Sequence, residues 1–472
     1  MVATERYTFR YVPFEKNVLC NRQMLKGMTK VFFFLFILIH QSVIGQRLCK
    51  QLLINDLTYL NEAIVNGHPV NYNPQNEVNI LSVIDRAKEI SSTDSISALD
   101  YKIWIEKGIY NVGCIHTSIY ENPLKNDNDL SFIPLTASIQ NEGLKITSCD
   151  NKSKIGQIIK EINGHNATEI ISFYKEYKAS DGIGNAFSKE YFHFASSRLI
   201  SDFLRHPKQY EIRTSKGEYI LNGQNKVFLN TADHNSNTSV LSNKENKLYL
   251  KDDFVILKVS DFDKSDRAFF KNAFEEINEL KTEKLIIDLR QNTGGNRNAA
   301  IELTKYLADT TFSYSILQPK LATKKYLNGK GKLFLFLSKL KYNVGNIFRK
   351  HNSTLGKEFI YTYKPKSRNH FYGKLYVLTD GFTASSSTMV TSWLKQYSNA
   401  IFIGSQSGGG YNGNNGGSFP LITLPDSKIQ IKFPAYRLIL DNKSDMNSGL
   451  IPDILLDTNA EIYTIINKIQ EL

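Results

Sequence analysis

Ser385, Ser386 and Ser387 follow Gly381-Phe382-Thr383-Ala384, where the short apolar run Leu375–Leu378 gives way to a helical pattern. That pattern is Met389, Val390, Trp393, Leu394 and Tyr397, whose spacing places them on one helix face. A serine at a strand-to-helix turn presents its hydroxyl at a surface. The first N–H groups of the helix have no internal partner and point at whatever sits there. A nucleophile beside ready hydrogen-bond donors is what acyl transfer needs. The same residue types also cap helices, and read alone the stretch favours Thr383 and the serines as a cap.

Other stretches change that balance. Lys284–Gly295, KLIIDLRQNTGG, is a second apolar run ending in a polar turn and a glycine pair. GSQSGGGYNGNNGG begins at Gly404 with LPDSKIQIKFP behind it, and SGLIPDI spans Ser448–Ile454. In this order the motifs resemble the tail-specific (C-terminal-processing) serine peptidase family over about Leu248–Leu456, with a PDZ-like segment ahead of them. The resemblance implies an α/β fold: a crotonase-like (ClpP-like) core with a helical N-terminal region and a divergent PDZ-like domain.

The resemblance also implies roles. Ser385 is the nucleophile, and the oxyanion hole takes one N–H from Ser386 and one from Gly294 or Gly295, where the missing side chain lets backbone approach a carbonyl. No cofactor and no metal are implied. A serine hydroxyl needs a base, and the family's bacterial branch takes a lysine from the glycine loop. Here Gly410 stands in that place, and the one lysine between Leu394 and Asp426 is Lys395, in the helical stretch. The pattern is similar instead to the branch of the tricorn core protease and the interphotoreceptor retinoid-binding protein repeats, where histidine is the base. His116, in YNVGCIHTSIY, takes that role; its spacing alone does not distinguish it among nine histidines. Asp445, ahead of Gly449-Leu450-Ile451-Pro452-Asp453, is the acid offered to orient the site, about one residue out of register. Asp453 reads as fixing a turn, Ser387 as pointing away from the Ser385 direction, and Ser407 as a loop hydroxyl outside the chemistry.

The elements that must position these residues follow from composition and pattern. With 472 residues the chain holds two or three domains with cores of their own. Residues 1–45 carry a secretion signal: Arg22, Lys26 and Lys30 precede the apolar run Val31–Ile39, which is too short to span a bilayer. This places the protein outside the cytoplasm, with translation starting at Met1 or at Met24 or Met28. Residues 46–135 read as helical, with helices over Gln51–Val65, Val78–Ile90 and Ala98–Lys107. Residues 136–223 are the PDZ-like domain, with a helix capped near Thr168, a hairpin at Lys216-Gly217 and an aromatic-rich insertion over 175–205. A polar connector spans 224–247. In the core, 248–472, strands over Phe254–Val259 and Lys284–Asp288 alternate with helices, one capped by Ser265, which argues for a parallel sheet.

The net charge of +12 is local. Residues 319–368 hold thirteen Lys or Arg and one acid, Glu358, so the rest of the chain is near neutral and a global nucleic-acid-binding field is excluded. This basic insertion reads as a solvated loop; a lid over the site and a membrane-surface contact are its functional readings. Cys49, Cys114 and Cys149 remain after signal removal, an odd number with no metal-type spacing.

The expectation is a secreted serine endopeptidase acting on protein or peptide substrates in extended or unfolded form. The alternative is a non-catalytic peptide- or apolar-ligand-binding protein on the same scaffold, since fold does not fix function. A coenzyme-A hydratase or isomerase is suggested by the fold alone and opposed by the secretion signal.

Overall fold

The computed structural model describes residues 47–471 apart from 72–77, 90–94, 125–129, 142, 183, 229–240, 244–245, 252, 347–348, 353, 442–447 and 458–460. The signal segment and Asp445 therefore lie outside the described residues.

Three helices open the described chain: α1 (Lys50–Gly67), α2 (Leu81–Lys88) and α3 (Ala98–Tyr110). They do not close a core of their own. Leu53, Leu57, Leu60 and Ile109 share one apolar cluster with Phe312, Trp393, Ile429 and Tyr436 far along the chain. Buried Asp56 ties α1 to the same region, accepting from Tyr101 Oη at 2.7 Å and from the backbone N–H groups of Asp426 and Ser427. The strand Ser118–Glu121, just after His116, pairs antiparallel with Gln430–Lys432. The helical region thus delivers His116 to the core by strand pairing.

The segment expected to be PDZ-like carries a six-stranded sheet with α4 (Ala167–Tyr174) and α5 (Ala186–Leu204). Its terminal hairpin pairs Gln209–Thr214 with Gly217–Asn222, as the Lys216-Gly217 turn predicts. Thr168 lies inside α4 rather than capping it; the N-cap is Asn166, without a side-chain bond. The aromatic-rich insertion is mostly the nineteen-residue α5, packed on the edge strand Leu135–Gln140. Ala137 N donates to Ser196 Oγ at 2.7 Å, and Ser197 Oγ donates to Ile133 O at 2.7 Å. Over 133–137 the helix therefore engages edge groups that an added peptide strand would use.

The C-terminal half carries a seven-stranded sheet in which Phe254–Lys258, Lys284–Asp288, Lys374–Thr379, Ile401–Gly404 and Ile454–Leu455 run parallel. These strands are apolar on both faces because both faces are covered. Val255, Leu257, Leu285, Ile287 and Val377 face the cluster of α6 (Asp266–Glu279), α7 (Arg297–Lys305) and, further along, α9 (Ser386–Tyr397). Their neighbours Ile256, Ile286, Tyr376 and Leu378 pack with Ile465, Ile466 and Ile469 of the last helix. Ser265 precedes α6 but makes no cap bond; the turn is held instead by Asp263 N donating to Asp266 Oδ2 at 2.5 Å. A five-stranded antiparallel sheet built on Phe312–Pro319 and Gly356–Tyr363 carries the basic insertion, which contains α8 (Gly329–Gly345). The last helix is α10 (Ile462–Gln470). All three described cysteines are free thiols.

Where the Lys284–Asp288 strand ends, Asp288 is 1% exposed and Arg290 6%. Arg290 donates from N, Nε and Nη2 to that carboxylate, and Lys258 lies 3.6 Å away. Burial alone would raise the Asp288 carboxyl; Arg290 and Lys258 override it and hold it well below the usual carboxylate range. Its folded value is therefore lower than its unfolded one, so the pair stabilises above pH about 3.9 and that contribution is lost as pH falls. Arg290→Ala leaves a buried carboxylate short of its main partner and is expected to cost about 3–5 kcal/mol at neutral pH. Urea unfolding at pH 7 and pH 2 checks both the loss and its shrinkage in acid.

Candidate active site

The turn after Asp288 is fixed from within. Asn292 Nδ2 donates to Val259 O, and its Oδ1 accepts from Gly294 N, both at 2.8 Å. Gly294 and Gly295 have φ of +105° and +137°, backbone conformations that side chains disfavour. A Cβ on Gly294 would stand 2.6 Å from Ser385 Cβ and 2.8 Å from Ser386 N; one on Gly295 would stand 2.2 Å from Phe262 O. Both are glycines because backbone meets backbone there.

The facing turn, Asp380–Ser385, is bound to the first. Asp380 Oδ1 accepts from Phe382 N and Thr383 N at 2.9 Å, and its Oδ2 accepts from Gln291 N at 2.8 Å. Thr383 Oγ1 donates to Leu289 O, and Ala384 N donates to Asn292 O. Thr383 is thus a cross-link between turns and not a helix cap. Ser385 precedes α9 with φ +55° and ψ −118° and makes no capping bond, so the cap reading fails. A non-glycine residue in that region costs of order 1–3 kcal/mol and persists where its surroundings over-determine it. Three bonds between the turns supply that constraint.

Ser385, Ser386, Gly295 and His116 line one cavity of about 300 Å³, with Phe419 and Arg297. Ser386 Oγ donates to Gly295 O at 2.9 Å, so its hydroxyl is committed. Gly294 N is committed to Asn292, whereas the N–H groups of Gly295 and Ser386 have no hydrogen-bond partner among the described residues. Of the two glycines offered by the sequence, Gly295 has the available donor.

His116 is half-buried and stacks on Phe419, with ring centroids 5.6 Å apart. Its Nδ1 is out of solvent without a hydrogen-bond partner. Burial, and then the charge of Lys432, push the imidazole down to about 3, so the ring is neutral. The neighbouring Thr117 is held by His68. His68 Nδ1 accepts from Val70 N, which leaves the ring proton on Nε2, 2.7 Å from Thr117 Oγ1.

Sequence reasoning did not single out Asp181, in the loop between α4 and α5. Its Oδ1 accepts from Ile115 N at 3.0 Å and its Oδ2 from Gly410 N at 3.2 Å. It thus joins the His116 loop to the glycine loop. Burial pushes its carboxyl up to about 6 against those two bonds and Arg437. A donor atom each of Asp181, His116 and Cys114 lies within 4.8 Å of the others. A metal could bridge such a spacing, but this donor set is poor: burial and Asp181 push the Cys114 thiol up to about 11, and both Asp181 oxygens already accept N–H bonds. At Gly410, a Cβ would stand 2.5 Å from Gly413 O and 3.5 Å from Asp181 Cβ. A dyad lysine has no room there.

The remaining hydroxyls and carboxylates are structural. Ser387 is fully buried. Ser407 is 1% exposed, donates to Gly409 O and accepts from Leu450 N. Asp453 accepts from Phe402 N and pairs with Lys395, which removes that lysine from the site.

Residues 253–456 match the profile of peptidase family S41. Among solved structures, mature CPAF complexed with lactacystin aligns with a TM-score of 0.60 at 13% identity, over 89% of this chain and 98% of that one. Mature CPAF aligns with a TM-score of 0.57 at 13% identity, over 89% and 96%. These are likenesses of fold. The tricorn protease aligns over 89% of this chain and 37% of its own at 13% identity, with a TM-score of 0.30, too low to carry an argument. No curated protein sequence matches the chain.

The close approach at Gly294 gives a direct test. Gly294→Ala places a methyl group against Ser385 and Ser386 at a φ that alanine avoids, and is expected to destabilise by about 2–5 kcal/mol. Gly329→Ala, with nothing within 4 Å of its Cβ position, is expected to stay within about 0.5 kcal/mol of the parent. Chemical denaturation of the two variants checks the contrast.

Proposed function

We propose that residues 253–456, which match the profile of peptidase family S41, form a serine peptidase domain, and that the chain hydrolyses peptide bonds in extended or unfolded polypeptides through Ser385, with His116 as the base. The observation that carries this reading is one cavity holding a serine at a strained strand-to-helix junction, a neutral imidazole and two uncommitted backbone N–H groups. Mature CPAF, the lactacystin-bound neighbour, shares the fold.

Ser385 Oγ attacks the scissile carbonyl carbon as its proton passes to His116. The carbonyl oxygen takes the negative charge and accepts from Gly295 N and Ser386 N, each such donor contributing about 3 kcal/mol in the transition state. Collapse breaks the C–N bond, and the leaving amine takes the proton from His116. Water then attacks the acyl-serine, giving its proton to His116, and release of the new carboxyl end returns a proton to Ser385. The imidazolium formed in each half needs a counter-charge. Asp181, close by but not hydrogen-bonded to the ring, fits as a positioning residue. Asp445, the acid offered by the sequence resemblance, remains a second candidate for that role. The signal-like segment over Arg22–Gly45 supports action outside the cytoplasm.

Cleavage of reduced casein by residues 46–472 tests the assignment beside Ser385→Ala and His116→Ala. Both variants are expected to lose at least about a thousandfold in kcat/KM while keeping the parent's circular dichroism. A His116→Ala variant that still cuts would displace the base, and a folded parent that cuts no peptide would favour the ligand-binding alternative.

A pH profile tests Asp181. His116 stays neutral far below pH 6, so the acid limb of kcat/KM is expected near pH 6, where Asp181 takes up a proton and activity falls. Asp181→Asn is expected to lower the rate about a hundredfold and to abolish that limb. A limb unchanged in the variant would remove Asp181 from the chemistry.

A further inference from the structure

Helix α8 turns its apolar side outward. Gly331, Leu335, Ser338 and Tyr342 recur every three or four residues and form its inner line. Leu335 is 2% exposed, Ser338 Oγ lies 3.0 Å from Tyr436 Oη, and Tyr342 Oη donates to Gly417 O. Leu333, Phe336, Leu337, Leu340 and Val344 recur at the same spacing on the opposite line and are 47–68% exposed. An amphipathic helix of a water-facing loop has the reverse arrangement. Large apolar residues clustered on a protein's outer face mark a contact surface.

The charge around this line identifies what it fits. Lys330 and Lys341 lie along one flank of the helix, and Lys332 and Lys339 along the other. None of the four has a carboxylate partner among the described residues. Beside Phe336 and Leu340 opens a cavity of about 590 Å³ that also takes in Lys320, Lys339 and Lys357. Burial and the charges of Lys357 and Lys324 push the Lys339 ammonium down, and among the described residues no carboxylate pairs with these three lysines. A second copy docked face to face would set lysines against lysines. A sheet of anionic headgroups above a hydrocarbon layer complements both features: the apolar line enters the acyl boundary and the flanking lysines reach back to phosphate. No helix among the described residues is long and apolar enough to cross a membrane.

We propose that α8 is an interfacial anchor that docks the protein on an anionic lipid bilayer, with Leu333, Phe336, Leu337 and Leu340 inserted and Lys330, Lys332, Lys339 and Lys341 at the headgroups. The helix also adjoins the catalytic cavity, because Gly417, bonded by Tyr342, lines it. The anchor does not depend on the assignment of Ser385 or His116.

Flotation of the full chain with vesicles tests the anchor. Vesicles containing about one-third phosphatidylglycerol in phosphatidylcholine are expected to carry the protein, pure phosphatidylcholine vesicles not, with release at high salt. The triple variant Phe336→Ser, Leu337→Ser, Leu340→Ser is expected to lower partition at least about tenfold. The variant Lys330→Gln, Lys332→Gln, Lys341→Gln is expected to lower it about a hundredfold. Circular dichroism and the melting curve of both variants should match the parent, since the residues are exposed. A parent that stays in the aqueous layer, or a serine variant that floats as well as the parent, overturns the proposal. So does a parent that dimerises through this face, seen as a concentration-dependent dimer that the serine variant abolishes.

Discussion

The approach of Gly294 to Ser385 and Ser386 is the contact on which the site depends. Two parallel strands, Lys284–Asp288 and Lys374–Thr379, lie side by side and end level, so the turns that leave them must pass each other. They pass within the distance a single methyl group would fill. Asp380, Thr383 and Asn292 cross-link the turns, and this holds Ser385 in a backbone conformation that a free chain rarely visits. One geometric consequence is a serine raised toward the cavity. Another is that the first N–H of α9 and the N–H of Gly295 are left without internal partners, because Gly294 has given its own to Asn292.

A second constraint brings distant segments together. His116 arrives on a strand added to the core from the N-terminal helical region, and the glycine loop arrives from the strand after α9. Asp181, from a loop of the PDZ-like segment, bonds the backbone of both. Asp181 N also donates to Gly408 O, and Gly182 N to Gly113 O. One buried carboxylate thereby sets the spacing between the His116 loop and the glycine loop. At position 410 the backbone oxygen of Gly413 stands 2.5 Å from where a Cβ would be, so any side chain there would force the glycine loop to shift.

The basic insertion shows the same logic at the surface. Its strands, Phe312–Pro319 and Gly356–Tyr363, are ordinary antiparallel partners whose inner residues complete the large apolar cluster. Helix α8 between them adds Leu335 and, partly buried, Tyr342 to that cluster and leaves Leu333, Phe336, Leu337, Leu340 and Val344 outside. The concentration of the chain's whole net charge around that helix separates this face from the near-neutral remainder.

Much of this was legible in the sequence because it is local. Apolar runs that are buried on both faces read as parallel strands, and the TASSS and DLRQNTGG turns lie directly at strand ends. The charge of the insertion is a sum and needs no fold. Side-chain direction along α8 was a matter of which line the core claims, and periodicity gives two opposite lines without saying which is inside. The helix over 186–204 was missed because serines and charges interrupt its apolar face; its serines instead serve the edge of a neighbouring sheet. Asp181 carried no signal at all, since its partners lie 66 and 229 residues away. The sequence determined which turn ends each strand, and with it the place of Ser385 and of the Ser386 N–H beside it, because those depend on neighbours along the chain. The tertiary structure alone decided which glycine N–H is left available, which carboxylate meets the histidine loop and which face of α8 meets solvent, because each is settled by atoms that only folding brings within hydrogen-bonding or van der Waals distance.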